Sequence, residues 1–192
     1  MIVCAASNNA GKLKELRRIL ERMGHEVKSL RELGITLDPE ETGTTFAENA
    51  VRKAKAVWEK VKLPVIADDS GLCVDALDGR PGIYSARYAG EGATDADRVK
   101  KLLAELEGKE NRTGRFVCAI AYIDGTGETH VFEGVCEGTM AESPRGEDGF
   151  GYDPIFLVGE KTFAEMTAKE KDAVSHRGKA NRLLEDYLKQ EK

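Results

Sequence analysis

The sequence predicts a mixed α/β fold, with a central sheet that combines parallel and antiparallel strands and is flanked by helices. In the first half of the chain, strand-like and helical patterns alternate, which is typical of parallel strands joined by helices. In the second half, strand patterns at 115–123 and 129–139 are joined by a glycine-containing turn, which predicts an antiparallel hairpin. The length of 192 residues fits a single domain, and we find no internal repeat or interdomain linker.

The N-terminal region predicts a strand, a polar turn and a helix, followed by a second strand and a second helix. The apolar run 2–6 and the polar turn 7–9 precede leucines at helical spacing, and residues 27–30 form a short strand pattern. An acidic loop at 38–44 leads to Thr45, which has the spacing of a capping box and opens the second helix.

The middle of the chain predicts a buried strand, an ordered loop and a third helix. A proline ends the second helix, and the short apolar run 65–67 predicts a buried strand that ends at Asp68 and Asp69. The glycine-rich stretch 78–92 predicts an ordered loop, and Thr94 caps the next helix.

The C-terminal region, beyond the hairpin, predicts a loop, a short strand and helices. The loop covers 144–153 and is rich in glycine, and the strand covers 155–158. Residues 167–192 predict one or two helices, with a break near Ser175.

The composition excludes several classes of protein. A net charge of −5 disfavours a surface that grips nucleic acid, because that binding usually depends on clustered Lys and Arg. No apolar run approaches the ~20 residues that cross a bilayer, and the start of the chain lacks the pattern of a signal peptide, so we expect a cytosolic protein without membrane contact. The four cysteines have no C-x-x-C spacing, which favours buried free thiols over zinc sites or disulfides.

The turn Ser7-Asn8-Asn9-Ala10-Gly11-Lys12 is a candidate phosphate site. It joins a strand to a helix N-terminus, where unpaired backbone N–H groups and the helix dipole favour phosphate, and Lys12 adds a positive charge. It departs from a Walker A loop, because Ala6 stands at the position of the first Gly and Leu13 at that of the Ser or Thr. A helix cap with one exposed lysine explains this segment equally well.

Four acids, Glu40, Glu41, Asp68 and Asp69, form a candidate Mg²⁺ site. Magnesium prefers hard oxygen ligands, usually one or two carboxylates together with substrate phosphates and water. Adjacent residues of an extended strand point to opposite faces, so Asp68 and Asp69 are expected to have different roles, one toward a metal or attacking water and one toward structure. The alternative is a capped turn formed by Asp-Asp-Ser-Gly.

Glycines flank an aromatic residue in Gly149-Phe150-Gly151-Tyr152-Asp153. Glycine lets the backbone approach a ligand closely, and either Phe150 or Tyr152 could stack on a purine ring, a contact worth ~1–3 kcal/mol. The alternative is a tight turn whose aromatic side chain enters the core.

Lys171 precedes Ser175-His176-Arg177 by about one helical turn. Lys and Arg can pair with phosphate or with a carbonyl oxygen of a base, and His176 could donate to a ligand. Donors directed at a 6-oxo purine would stay unpaired against the amino group of adenine, at a cost of about 1–3 kcal/mol each. The alternative is a helix cap at Ser175 followed by solvated charges, an interpretation that suits Lys171 in particular.

Six motifs, in the same order along nearly the whole chain, resemble those of the inosine triphosphate pyrophosphatase family. They are S-N-N-A-G-K at 7–12, E-E-T-G-x-T-F-x-E-N-A at 40–50, A-D-D-S-G-L at 67–72, P-G-I-Y-S-A-R-Y at 81–88, F-G-Y-D-P-I-F at 150–156 and A-V-S-H-R-G at 173–178. Each motif alone decides nothing, and their common order carries the resemblance. Many relatives have Thr-Gly-Asn where this chain has Ser7-Asn8-Asn9, which leaves open whether Asn8 must adopt a left-handed conformation.

The resemblance implies an elongated mixed α/β fold with two lobes around a substrate cleft, a homodimer, and Mg²⁺-dependent release of pyrophosphate from ITP, dITP and XTP. This activity would remove non-standard purines before they enter DNA or RNA. By motif, Ser7 to Lys12 would hold the triphosphate, Glu40 and Asp69 would bind Mg²⁺, and Asp69 would act as general base for a water that attacks the α-phosphorus. The substrate would also be contacted by Ser70 and, at its base and sugar end, by Phe150, Gly151, Tyr152, Asp153, Lys171, His176 and Arg177.

Three other functions fit parts of the pattern. A regulator could bind purine nucleotides without hydrolysing them, although binding alone needs no carboxylate poised near phosphate. A triphosphatase for modified pyrimidine or standard nucleotides could use the same residues, and only a panel of substrates separates it. The motifs could also be purely structural, which requires six independent coincidences.

Overall fold

The computed structural model describes residues 1–190 and contains a seven-stranded mixed sheet with five α-helices in that part of the chain. The strands are β1 (Ile2–Ala5), β2 (Glu26–Ser29), β3 (Val65–Val74), β4 (Thr113–Ile123), β5 (Thr129–Met140), β6 (Phe156–Val158) and β7 (Lys161–Thr162). The helices are α1 (Ala10–Leu20), α2 (Phe46–Val61), α3 (Asp95–Glu105), α4 (Ala168–Val174) and α5 (His176–Gln190).

The strand order in the sheet is β2-β1-β3-β4-β5-β6-β7. Strand β1 pairs in parallel with β2 and β3, whereas β6 pairs antiparallel with β5 and β7. The mixed α/β fold predicted from the sequence is therefore confirmed. None of the helices in residues 1–190 has the length and apolar character needed to cross a membrane.

The chain divides into two compact units. Among the described residues, unit 1 comprises 1–69, 118–134 and 177–190, and unit 2 comprises 70–117 and 135–176. Strands β3, β4 and β5 contribute residues to both units. The arrangement of two lobes around a cleft stays a prediction.

Unit 1 has a hydrophobic cluster on each face of its part of the sheet, because successive residues of a strand point to opposite faces. One cluster joins Val3, Ile66 and Ile120 of the strands to Leu16 and Leu20 of α1 and to Ala180 and Leu184 of α5. The other joins Cys4, Val65, Ala67 and Ala121 to Ala50, Ala54 and Val57 of α2. Helices α1 and α5 thus cover one face, and α2 covers the other.

Unit 2 has a single hydrophobic cluster, in which α3 packs through Val99 and Leu102. At its centre, the Phe116 ring lies 4.7 Å from the Phe156 ring and 5.7 Å from the Phe163 ring, measured between centroids. These contacts fall in the range in which aromatic pairs stabilise a core.

Helix N-termini lie where the sequence predicts them. Thr45 accepts a hydrogen bond from the Glu48 N–H, and Thr94 forms a reciprocal capping box with Asp97. The break predicted near Ser175 is confirmed, because α4 ends at Val174 and α5 begins at the residue after Ser175. The cysteines are free thiols, of which Cys4, Cys118 and Cys136 are buried and Cys73 is partly exposed.

Strand β3 is longer than predicted. The expectation that it ends at Asp68 and Asp69 is wrong, because the strand continues through both acids to Val74. Asp-Asp-Ser-Gly is typical of a turn, but Leu72 and Val74 beyond it enter the hydrophobic cluster of unit 2. Burial of these side chains outweighs the local turn preference, as is usual for strands.

Candidate active site

The polar turn at residues 7–12 lies between β1 and α1 and has the form of a helix cap. The Asn9 side chain accepts a hydrogen bond from the Lys12 N–H at 3.0 Å, and Ser7 Oγ accepts one from the Asn9 N–H at 3.1 Å. No acidic residue lies in the first turn of α1, so the positive end of its dipole is not neutralised by its own sequence. Among described residues other than glycine, only Lys62 and Asp78 have positive φ, so Asn8 carries no left-handed strain.

Four charged side chains in unit 1 form a largely buried group, here called the Asp68 cluster. Its members are Lys12, Glu15, Asp68 and Arg177. Asp68 Oδ2 lies 3.1 Å from Lys12 Nζ and 3.2 Å from Arg177 Nη2, and Arg177 Nη1 lies 2.8 Å from Glu15 Oε2. Burial raises the pKa of Asp68, but the charges of Lys12, Arg177 and Lys53 outweigh this effect and hold the pKa well below its ordinary value. Asp68 is therefore ionised and serves as the counter-charge of two cations.

Asp69 is the next residue on β3 and faces different groups. Asn49 Nδ2 donates to Asp69 Oδ2 at 3.1 Å, while Asn49 Oδ1 accepts the Gly43 N–H at 2.7 Å. Because the Gly43 N–H needs an acceptor, this contact fixes which end of the Asn49 amide faces Asp69. Burial and the nearby charge of Glu41 raise the pKa of Asp69 to about 6. A carboxylate with this pKa is suited to accept a proton near neutral pH.

Lys53 lies on α2, close to both acidic segments. Its Nζ is 2.6 Å from Glu41 Oε1 and donates to the Asp68 carbonyl oxygen at 3.2 Å. Asn49 and Lys53 are one helical turn apart, so they lie on the same side of α2. The sequence interpretation missed both residues. The signal that points to them is a pair of polar residues at i, i+4 beside the apolar face of a helix.

Glu41 fits a cation site with Asp69 better than Glu40 does. Glu40, predicted as a magnesium ligand, is exposed, whereas Glu41 is partly buried and its charge acts on Asp69. Two carboxylates form the hard oxygen set that Mg²⁺ prefers. Burial is the main cause of the raised pKa of Asp69, and the charge of Glu41 adds to it; a cation would offset the second effect, so the carboxylates present fit Mg²⁺. The role predicted for Glu40 stays a prediction.

In unit 2, Lys171 is a buried residue and not a solvated lysine. Its Nζ lies 2.7 Å from Asp153 Oδ2, and both side chains are less than a tenth exposed. The same Asp153 oxygen accepts the Phe150 N–H at 3.0 Å, and Lys171 Nζ lies 4.8 Å from the centroid of the Phe150 ring. Lys171 and Asp153 thus hold the backbone and the ring of Phe150.

The two aromatic residues of the glycine-rich loop have different surroundings. Tyr152 belongs to the hydrophobic cluster of unit 2, and its hydroxyl donates to the Ser85 carbonyl at 2.7 Å. Phe150 is partly exposed. Gly151, between them, has φ of +61° and donates its N–H to Asp95 Oδ2 at 2.9 Å. Phe150 is therefore the more exposed of the two rings.

The consecutive residues His176 and Arg177 belong to different units. The His176 ring is buried and stacks on Phe116 in unit 2, with 4.6 Å between centroids. Arg177 is part of the Asp68 cluster in unit 1. The roles predicted for both residues in holding the base, and for the partly buried Ser70 in contacting substrate, stay predictions.

Comparison with known proteins identifies relatives of the whole chain. The Ham1 family model matches residues 3–187. A dITP/XTP pyrophosphatase of Bacillus subtilis (strain 168) is 54% identical over 187 residues, which cover 95% of this chain and 94% of that protein. A second dITP/XTP pyrophosphatase, of Geobacillus kaustophilus, is 52% identical over 188 residues, covering 96% of this chain and 92% of that protein. Among solved structures, the Ham1 protein of Staphylococcus aureus has a TM-score of 0.90 at 44% identity, with all of both chains covered.

Proposed function

Because this chain belongs to the Ham1 family, we propose that it hydrolyses the non-standard purine nucleoside triphosphates ITP, dITP and XTP to the monophosphate and pyrophosphate. Relatives named dITP/XTP pyrophosphatase match it over nearly its whole length, and the family resemblance predicted from the six motifs is confirmed. The observation that carries the mechanism is the contrast between two adjacent acids. Asp68 is ionised among cations, whereas Asp69 has a pKa raised to about 6.

Lys12 and the N-terminus of α1 bind phosphate oxygens in this mechanism. Lys12 and Arg177 share one oxygen of Asp68, and the Lys12 side chain is 21% exposed against 6% for Arg177. Arg177 is also held by Glu15, so Lys12 is the cation that can move to a phosphate. Arg177 then continues to neutralise Asp68, which avoids leaving a buried carboxylate uncompensated.

Asp69 accepts a proton from the attacking water. Asn49 donates to Oδ2, which leaves Oδ1 for the water, and the resulting hydroxide attacks the α-phosphorus with pyrophosphate as the leaving group. Glu41 and Asp69 would hold Mg²⁺, which when bound supplies charge stabilisation to phosphate oxygens. Lys53 neutralises part of the charge of Glu41 and keeps its carboxylate in place.

For the base, the motif resemblance assigns Phe150 as the ring that stacks on the purine. Asp153 fixes the backbone N–H of Phe150, and Lys171 fixes both Asp153 and the ring. Selection of 6-oxo purines requires donors that stay unpaired against adenine, and the sequence predicts this role for His176 and Arg177. In this mechanism Arg177 stays paired with Glu15 and Asp68, so His176 is the donor that we propose for the selection. One such buried donor left unpaired costs about 1–3 kcal/mol, which is roughly a 5- to 150-fold preference.

The test is pyrophosphate release from a panel of ITP, dITP, XTP, GTP, ATP and a modified pyrimidine triphosphate, with Mg²⁺ and with EDTA. We expect release only with Mg²⁺, and faster release from the first three than from ATP by roughly tenfold or more. Binding of ITP without release would favour the nucleotide-binding regulator. Equal rates on all triphosphates would favour a general triphosphatase.

The homodimer, the cytosolic location and the absence of nucleic-acid binding stay predictions. Light scattering on the purified protein tests the first of these, because a dimer has twice the mass of the 21.0 kDa chain.

A further inference from the structure

Asp95 connects the start of α3 to the glycine-rich loop. Its Oδ2 accepts the Gly151 N–H at 2.9 Å, across 56 residues of sequence, and its Oδ1 accepts Arg98 Nη2 at 2.7 Å. The cap of α3 does not need this side chain, because Thr94 and Asp97 satisfy each other's backbone N–H groups. The carboxylate of Asp95 is thus directed at the loop and not at its own helix.

The loop needs such a contact because of its two glycines. Gly149 and Gly151 have φ of +78° and +61°, and glycine loses more conformational freedom on ordering than any other residue. Two backbone hydrogen bonds fix the segment between them. Asp153 accepts the N–H of Phe150, and Asp95 accepts the N–H of the next residue, so the backbone of Phe150 is held on both sides.

Asp95 is itself held in place. Arg98, which pairs with it, also donates to the carbonyl oxygens of Ala86 at 3.1 Å and Ala93 at 2.8 Å. The Arg98 side chain is only 17% exposed. The acceptor that faces Gly151 is therefore anchored by a residue with three partners.

We propose that Asp95 is a positioning residue for the purine base, which fixes the Phe150 ring by holding the adjacent backbone N–H. The proposal rests on the proposed function, in which Phe150 stacks on the base. Without the Asp95 carboxylate the loop is more flexible. Binding of the base must then order the loop, and this entropic cost lowers the affinity for the base. The proposed contact of Lys12 with phosphate, and the proposed binding of Mg²⁺ by Glu41 and Asp69, do not involve this loop and should be unchanged.

The experiment compares two inhibitors in steady-state hydrolysis of ITP: inosine monophosphate, which carries the base, and inorganic pyrophosphate, which does not. Asp95→Ala should raise the KM for ITP and the inhibition constant of inosine monophosphate about fivefold, corresponding to one hydrogen bond of about 1 kcal/mol. The inhibition constant of pyrophosphate and kcat should stay unchanged. Asp95→Asn retains one acceptor oxygen, which can face the Gly151 N–H only if the contact with Arg98 is lost, so it should recover part of the affinity.

Asp97→Ala is the matched control, because it removes an acid from the same helix end and destroys the capping box. It should lower the melting temperature and leave both inhibition constants unchanged. The proposal is overturned if Asp95→Ala binds inosine monophosphate as tightly as wild type, if both inhibition constants rise together, or if Asp97→Ala has the same effect.

Direct binding of inosine monophosphate, measured by calorimetry, distinguishes failure of the proposed function from failure of the role proposed for Asp95. A wild-type protein that binds no purine nucleotide refutes the proposed function together with the role of Asp95. Wild-type binding that Asp95→Ala leaves unaltered refutes the role of Asp95 alone.

Discussion

Replacing Asp69 by Asn should abolish turnover and, at the same time, make the metal-free protein more stable at pH 8. The burial of Asp69 and the charge of Glu41 raise its pKa from 3.8 to about 6, so the ionised carboxylate is less favourable in the folded chain than in the unfolded one. A difference of about two pKa units corresponds to about 3 kcal/mol. Asparagine removes the charge and still offers Asn49 an oxygen acceptor, so about 2–3 kcal/mol of stability should be regained.

The contribution of Asp69 to stability decreases as the pH rises. The pKa of Asp69 is higher in the folded state, so its contribution to stability is fully present below the unfolded pKa of 3.8 and is lost as the pH rises through about 6. The advantage of Asp69→Asn should therefore be full at pH 8, shrink below pH 6 and vanish near pH 4.

Asp68→Asn is the matched control, and it should change the stability at neutral pH in the opposite direction. The charges around Asp68 lower its pKa in the folded state, so its contribution is present at neutral pH and is lost in acid. Its removal leaves Lys12 and Arg177 with less counter-charge, and breaking a buried ion pair costs about 3–5 kcal/mol.

The assay is urea unfolding in EDTA at several pH values, together with pyrophosphate release in Mg²⁺. If Asp69→Asn were no more stable than wild type at pH 8, or if both substitutions changed stability in the same direction, the assigned electrostatics would be wrong. An Asp69→Asn protein that still hydrolysed ITP would exclude Asp69 as general base.

Three further substitutions test other parts of the structure. Gly149→Ala places a Cβ against the Asp153 carboxylate at a left-handed φ, so calorimetry should show weaker binding of inosine monophosphate, and stability should fall by about 1–3 kcal/mol. Asn181→Leu replaces a side-chain oxygen that is buried and has no hydrogen-bond partner among the described residues, so urea unfolding should show a gain of about 1 kcal/mol; a loss would indicate a bound water there. Leu184→Ala, at a fully buried position of α5, should lower the free energy of unfolding by about 2–5 kcal/mol.

Features of the fold that depend on local chemistry could be predicted from the sequence. The caps at Thr45 and Thr94 and the hairpin at 124–127 each use residues a few positions apart, so their signals are contiguous. The extension of β3 could not be predicted in this way. Its turn-like acids are stabilised as part of a strand by distant groups, including an arginine 109 residues away from Asp68.

Only part of the candidate site could be predicted, because some of its residues are brought together by long-range packing and not by local sequence signals. The motifs identified Lys12 and Asp69 as functional candidates, and Lys171 was predicted from its position before Ser175-His176-Arg177. No sequence pattern assigned a role to Asn49 or Lys53, whose contacts with β3 depend on the packing of α2. The adjacent acids at 40 and 41 are equivalent by sequence pattern, because a loop has no periodicity. The ion pair with Lys53 and the electrostatic effect on Asp69 distinguish Glu41 from its neighbour.

The pKa of Asp68 is lowered and that of Asp69 is raised because successive side chains of an extended strand point to opposite faces. Ile66 lies on the face covered by α1 and α5, and Asp68, two residues later, meets cations from those helices. Ala67 lies on the face covered by α2, and Asp69 meets Asn49 of that helix. A turn at this point would let both carboxylates face the same groups, and their pKa values would no longer be driven apart. The extended conformation is therefore what allows one acid to stay ionised as a counter-charge while its neighbour accepts a proton.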